Sequence, residues 1–144
     1  MQQYVAMSAG LTITAVDADV DYLGIEIYAS NGRFSGSTWI YAGVDELSEF
    51  AGEIEGFPSG PEDQRMHEFG TREPGYAGGF CKISLRCLDR RGHVAIHIVI
   101  EDDDARYAAA EAQFSFASEP AALDRFIENL RSVERERSGS ASLT

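Results

Sequence analysis

Residues 80–101, FCKISLRCLDRRGHVAIHIVIE, decide the fold because they predict two antiparallel strands joined by a short hairpin. Apolar and polar side chains alternate within both halves, which is the period of a strand. With residues 89–92 as the loop, the side chains that face each other on one side of the hairpin are all apolar. The predicted apolar pairs are Cys87 with Val94, Leu85 with Ile96, Ile83 with Ile98 and Cys81 with Ile100.

Strand-like alternation recurs on both sides of this hairpin. Before it, an Asn31-Gly32 pair stands between two alternating segments and is the strongest short-range signal for a hairpin turn. Residues 58–79 are rich in glycine, proline and charge, but a structureless loop of that length is unusual in a compact domain, so we expect a short strand within them. The further predicted strands are residues 11–16, 22–29, 34–42, 64–71 and 106–117.

Two segments change to helical spacing. In residues 44–55 the apolar side chains recur every three or four positions, and Gly56 to Pro58 end the predicted helix. A second helix is predicted after Ser118, which is expected to cap it, with Pro120 in the first turn. The predicted buried residues are Leu47, Phe50, Ala51 and Ile54 in the first helix, and Leu123, Phe126, Ile127 and Leu130 in the second.

These elements predict an α+β fold, namely a mainly antiparallel β-sheet of about six to eight strands with two α-helices packed on it. A weak echo of apolar positions around the two helices suggests two pseudo-repeated halves, although shared strand–helix geometry explains it equally well. Residues 1–134 are predicted to form a single α+β domain. Residues 135–144 are expected to form a flexible C-terminal tail because they have little to bury.

The chain is strongly acidic, with 24 Asp and Glu residues against 12 Lys and Arg residues and a formal net charge of −12. This balance argues against direct binding of nucleic acid, because phosphate contacts require clustered Lys and Arg. It favours a basic protein or a cation as the partner. An acidic charge that serves solubility alone is the alternative.

The sequence predicts a cytoplasmic protein without a membrane segment. The N-terminus has no basic region before an apolar run, and nowhere do about 18 apolar residues follow one another. Cys81 and Cys87 would lie roughly 20 Å apart along one strand, too far for a disulfide. We therefore expect buried thiols in a reducing compartment.

Two motifs imitate metal sites but have the wrong geometry. His93 and His97 would share one ion on a helix, whereas on a strand they stand about 13 Å apart. The run VDADVDY at residues 16–22 imitates the start of an EF-hand loop, but a tyrosine stands where that loop requires glycine. We therefore expect no metal and no other cofactor.

No catalytic motif has the context that its chemistry needs. The sequence contains neither a nucleophile elbow nor a glycine-rich loop with the spacing that phosphate binding requires. A non-enzymatic protein is therefore expected. One enzymatic alternative stays open, in which His67 acts together with neighbouring acids in the segment 58–79.

The first predicted helix carries its acidic residues on one face, opposite the apolar stripe, and no Lys or Arg lies within the segment. Like charges four residues apart each destabilise a helix by roughly 0.2–0.5 kcal/mol. An unpaired stripe is a candidate surface for a basic partner, and a solvated face is the alternative. The candidate contact residues are Asp45, Glu46, Glu49 and Glu53, followed by Asp102, Asp103 and Asp104 at the end of the hairpin.

Three segments carry a resemblance to a known family. They are GRFSGSTWIYAGVDELSEFAGEIEGF at 32–57, LRCLDRRGHVAIHIVIEDDD at 85–104 and EPAALDRFIENLRSV at 119–133. Over about residues 20–134, the chain resembles WapI-like immunity proteins, which are small bacterial antidotes of polymorphic toxins delivered by cell-wall-associated proteins. The matching motifs form the fold, so the resemblance implies a partner-binding protein and brings no active-site residues with it.

The resemblance implies a partner with a basic surface, which is complementary to the negative charge of this chain. Many such toxins are nucleases with basic surfaces, where the carboxylates of an antidote can take the place of substrate phosphates. We therefore predict a cytoplasmic, non-enzymatic immunity protein that neutralises a cognate toxin domain by stoichiometric binding through an acidic surface. The alternative is a small cytoplasmic binding or scaffold domain that uses a sheet face for a small ligand or for homodimerisation.

Overall fold

The computed structural model describes residues 8–73, 78–102 and 109–144. These residues have the predicted α+β fold, with eight strands in two antiparallel four-stranded sheets and two helices. In chain order the elements are β1 (Gly10–Ala18), β2 (Leu23–Ser30), β3 (Ser35–Ala42), α1 (Glu46–Ile54), β4 (Gln64–Gly70), β5 (Phe80–Cys87), β6 (Val94–Asp102), β7 (Ala110–Ser118), α2 (Pro120–Glu136) and β8 (Ser140–Leu143).

The central hairpin, β5 and β6, has the predicted register. Cys87 lies opposite Val94, and Cys81 lies opposite Ile100, with the two apolar pairs between them also aligned. β4, which forms the short strand expected near residues 64–71, joins the outer edge of β5, and β7 joins that of β6. The side-chain period of two therefore decides which face of this sheet enters the core.

The first three strands form a meander in the other sheet, whose order is β3-β2-β1-β8. The predicted Asn-Gly turn joins β2 to β3. The side-chain oxygen of Asn31 accepts the backbone N–H groups of Arg33 and Phe34, at 2.9 and 2.8 Å, and Gly32 takes a φ of 94°. These contacts account for a tight turn at this dipeptide.

Both sheets and both helices bury their apolar faces in one core, and all eight helix residues predicted to be buried are buried. β3 lies against every strand of the second sheet. Glycine permits this approach, because a Cβ at Gly79 would lie 1.7 Å from Oγ1 of Thr38, and one at Gly36 would lie 2.9 Å from Cγ2 of Ile100. Larger side chains at these two positions would push the sheets apart.

The prediction of a flexible tail at residues 135–144 is wrong. α2 continues to Glu136, and Arg137, with a left-handed φ of 55°, turns the chain into β8, which pairs with β1. Ala141 and Leu143 are 0% and 1% exposed. These two side chains supply the apolar burial that the tail was expected to lack.

The prediction that Ser118 caps α2 is also wrong. The residue before the helix is Glu119, which makes no side-chain cap hydrogen bond. Ser118 is the last residue of β7, and its hydroxyl donates to the backbone carbonyl of Thr144, at 2.7 Å. The hydroxyl therefore ties the end of β7 to the C-terminal segment instead of binding the helix.

Two further expectations concern the arrangement of elements. The pseudo-repeat is not confirmed, because three strands precede α1, four lie between the helices and β8 follows α2. The predicted strand 106–117 corresponds to β7, and its first residues, 106–108, lie outside the described residues.

Neither helix in the described ranges is long and apolar enough to span a membrane.

Candidate functional site

The acidic residues predicted as a partner-binding surface belong mainly to α1. The four buried apolar side chains of this helix face the core, and the helix packs against α2 and β4. The opposite face is therefore turned outward. Asp45, Glu49 and Glu53 are exposed there, and Glu46 is partly buried.

The sequence predicts an unpaired stripe of carboxylates, but in the structure two of them are paired. His67 of β4 lies between Glu46 and Glu53. The Nε2 atom of His67 is 3.0 Å from Oε2 of Glu46, and the Nδ1 atom is 2.7 Å from Oε2 of Glu53. Glu46 and Glu53 lie two helical turns apart on the same face. A single imidazole ring therefore bridges the length of α1.

The surroundings of His67 hold its ring in place. The side chain is 9% exposed and packs against two aromatic rings, with ring centroids 5.2 Å away for Phe50 and 4.3 Å for Phe69. Burial lowers the pKa of His67, but the hydrogen bonds and charges of Glu46 and Glu53 together outweigh it, so the pKa is raised. The pair of carboxylates thus favours the charged ring.

Arg65, two residues before His67, binds the C-terminal end of α1. Its guanidinium donates to the backbone carbonyls of Glu53 and Glu55, at 3.1 and 2.6 Å, where the helix dipole favours a cation. Asp63 pairs with the same guanidinium at 2.7 Å. Arg65 and the hydrogen bonds from Ser59 lower the pKa of Asp63 to about 2.

α2 holds the two ends of α1 through side chains. At the N-terminal end, the carboxylate of Glu134 accepts the backbone N–H of Ser48, at 3.1 Å, and also the Ser48 hydroxyl. Beyond the last turn, Arg131 donates to both carboxylate oxygens of Glu55, at 3.1 and 3.2 Å. This ion pair lowers the pKa of Glu55. The acidic face of α1 therefore stands on a helix anchored at both ends.

Among the predicted contact residues that the structure describes, Asp45 and Glu49 are the two whose side chains remain unengaged. Both side chains are exposed, and no hydrogen bond or ion pair to either is found within residues 8–73, 78–102 and 109–144. Glu46, by contrast, accepts the backbone N–H of Gly43 with its second oxygen, at 3.1 Å. The stripe thus contains two carboxylates that hold the structure, Glu46 and Glu53, and two that are available to a partner, Asp45 and Glu49.

The second predicted group of contacts is only partly described. Asp102, the last residue of β6, accepts a hydrogen bond from the Thr38 hydroxyl at 3.0 Å. This bond ties the end of β6 to β3. Asp103 and Asp104 lie outside the described residues. Within the part that is described, no hydrogen bond or ion pair joins Asp102 to α1.

The other two histidines have separate partners, and His93 lies just before β6 instead of on the strand. The Nδ1 atom of His93 lies 2.5 Å from Oδ2 of Asp89, and that of His97 lies 2.8 Å from the Ser115 hydroxyl. The hydrogen bond from His93 lowers the pKa of Asp89. No group of three or more His, Cys, Asp or Glu side chains suited to a metal ion occurs among the described residues.

Sequence reasoning missed Arg65 and His67 as partners of the acidic helix. Alternation along β4 places both on one face, so the strand pattern contained part of the signal. Contact with α1 depends on how the strand packs beneath the helix, which the local pattern does not specify.

A scan against protein-family models and searches of curated proteins and of solved structures return no match for this chain. Its function is therefore inferred from the geometry and charge of its own residues.

Proposed function

We propose that this protein is a cytoplasmic, non-enzymatic immunity protein that neutralises a cognate toxin domain by binding the basic surface of the toxin. The observation that carries the proposal is the outward face of α1, where Asp45 and Glu49 are exposed and unengaged. These carboxylates lie on a chain of formal net charge −12, whose field attracts a basic surface over distances of about a Debye length.

The anchoring of α1 supports a binding role. Arg65 and Glu134 hold opposite ends of the helix, and His67 bridges its face. A surface that is ordered before association loses less conformational entropy on binding. The helix that carries Asp45 and Glu49 is thus held in one position, which suits a stoichiometric inhibitor of a preformed cleft.

The position of His67 favours a structural role over a catalytic one. Both ring nitrogens are occupied by carboxylates. A general base must offer a nitrogen within hydrogen-bond reach of the proton that it removes. In this arrangement His67 has no free nitrogen, and when protonated its ring offsets part of the repulsion along the stripe.

The motif resemblance to WapI-like immunity proteins agrees with this proposal, although no family model matches the chain. The resemblance adds the class of partner, a toxin domain encoded by a neighbouring gene. A toxin that acts on nucleic acid would carry the basic cleft that an acidic helix complements.

Reversal of charge on the free part of the stripe tests the proposed contact surface. In the variant Asp45→Lys/Glu49→Lys, the rate of association with the C-terminal domain of the neighbouring gene's toxin should fall about 10-fold, with a weaker dependence on salt. The matched control is Asp124→Lys/Glu128→Lys, which makes the same change in charge on exposed positions of α2. Stopped-flow or surface-plasmon measurements at two salt concentrations provide the rates.

Equal slowing by both double variants would show a general charge effect and exclude α1 as the specific surface. If the wild-type protein formed no complex and gave no protection to cells that express the toxin domain, the immunity function itself would be refuted.

A further inference from the structure

The outward face of the β3-β2-β1-β8 sheet carries a cluster of aromatic side chains. Trp39 and Tyr41 project from β3, and Tyr22 lies just before β2. The ring of Tyr41 stands perpendicular to both neighbours, with centroids 5.1 Å from Tyr22 and 5.1 Å from Trp39. Tyr41 is 45% exposed, so the cluster is open to solvent. We call Tyr22, Trp39 and Tyr41 the aromatic cluster.

Gly24 and Asp17 lie beside the aromatic cluster and position its rings. A Cβ at Gly24 would lie 3.5 Å from Cη2 of Trp39, so the indole reaches across β2 at a position without a side chain. Asp17 lies on the other side of Gly24 and accepts a hydrogen bond from the Tyr22 hydroxyl at 3.1 Å. The rings are therefore fixed beside a carboxylate.

The charge on this sheet has one sign. Its four strands contain no Lys or Arg, and their only charged residues are Asp17 and Glu26. Glu26 lies directly opposite Trp39 on the neighbouring strand and is exposed. Arg33 and Arg137 lie in loops at opposite ends of β2, and Arg137 is engaged by the backbone carbonyls of Asp19 and Tyr22. Within the described ranges no Lys or Arg side chain forms an ion pair with Asp17 or Glu26. An exposed aromatic surface beside such carboxylates is complementary to a cation.

We propose that the aromatic cluster, together with Asp17 and Glu26, binds an arginine-bearing segment of a partner protein. A guanidinium can stack on the indole or phenol faces while its N–H groups bind a carboxylate. Tryptophan and tyrosine are also the residues most enriched among strong contacts in protein interfaces. A second copy of this chain is a poor occupant, because it would bring a further net charge of −12 to an acidic face.

The aromatic cluster lies on a different surface from the acidic face of α1, and binding of arginine there does not depend on the proposed immunity function. It needs no toxin for its test, so either proposal can fail while the other stands.

The chain contains one tryptophan, Trp39, and its fluorescence reports directly on this face. The protein is titrated with a nona-arginine peptide and, in parallel, with a nona-lysine peptide. We expect a saturable change in tryptophan emission and tighter binding of the arginine peptide by about 3-fold, since arginine stacks on aromatic faces and lysine does so less well.

Variants distinguish this face from the overall charge. Tyr41→Ser and Glu26→Lys should each weaken arginine-peptide binding about 3- to 10-fold. Glu128→Lys makes the same charge change on an exposed position of α2 and should alter binding less than about 2-fold. Thermal melts of each variant establish that it is folded, and Glu26→Gln serves as the milder substitution if Glu26→Lys is not.

Three results would overturn the proposal. They are the absence of a saturable emission change, equal affinity for the two peptides, and equal weakening by Glu128→Lys and Glu26→Lys. A second copy of this chain is the other candidate occupant, and sedimentation of the free protein tests for a dimer. If a dimer forms and its Trp39 is shielded from a neutral fluorescence quencher, the face belongs to a second copy.

Discussion

His67 joins two carboxylates that lie two turns apart on α1, and the protonation state of its ring sets how many of them it can donate to. A neutral imidazole carries one N–H and can donate to only one carboxylate, whereas the imidazolium donates to both Glu46 and Glu53. The aromatic rings of Phe50 and Phe69 exclude water from the ring. Protonation of His67 therefore adds a second hydrogen bond between β4 and α1, beside those that Arg65 donates.

The stability that His67 contributes should depend on pH. Its pKa is raised in the folded state above the ordinary value of 6.5, so its contribution is complete below that value and is lost as the pH rises through the folded-state pKa. His67→Gln should lower the free energy of unfolding by about 1–3 kcal/mol at pH 5.5. The difference between wild type and variant should shrink by pH 8.5, as measured by urea denaturation at each pH.

His93→Gln is the matched control, because His93 is more exposed and pairs with Asp89 of its own hairpin. Its effect on stability should be within about 0.5 kcal/mol. A wild-type minus His67→Gln difference that is constant between pH 5.5 and 8.5 would contradict the charged bridge.

Part of this residue-scale picture is present in the sequence. The helical spacing of residues 44–55 places Asp45, Glu46, Glu49 and Glu53 on one face, as observed. Strand alternation likewise places Arg65 and His67 on one face of β4. The local sequence pattern does not show that this face lies under α1, so it predicts more unpaired carboxylates than the structure has.

At the scale of elements, the central hairpin was predictable because several signals agree. The loop at residues 89–92 and the apolar faces of β5 and β6 select one register, and a shift by one residue would bury Lys82 and expose Ile83. No such agreement exists for the C-terminal segment. β8 has only two apolar residues, Ala141 and Leu143, and their burial depends on the neighbouring strand β1.

Substitution in β8 distinguishes a packed strand from a flexible tail. Leu143→Ala removes a side chain that is 1% exposed and should destabilise the fold by about 2–4 kcal/mol. Ser140→Ala, at an exposed position of the same strand, should change stability by less than about 0.5 kcal/mol. Chemical denaturation measures both, and a Leu143→Ala variant as stable as Ser140→Ala would mean that β8 contributes nothing to the fold.

For the whole molecule, composition predicts the sign of the charge on the partner's surface, but it does not predict which residues make the contact. The net charge of −12 is present before folding. Folding then engages Glu46, Glu53 and Glu134 in internal contacts and leaves Asp45 and Glu49 exposed. Only the tertiary arrangement separates carboxylates that hold the helix from those that can meet a basic protein.

The proposed immunity function requires that one molecule of this protein neutralise one toxin domain, which a titration measures. A fixed concentration of the neighbouring gene's toxin domain, well above the dissociation constant, is mixed with increasing amounts of this protein, and the remaining toxin activity is measured. Activity should fall linearly and reach zero at one equivalent, with recovery of both proteins intact from the complex. Undiminished toxin activity at excess protein, or complete loss at a small fraction of one equivalent, would contradict the account.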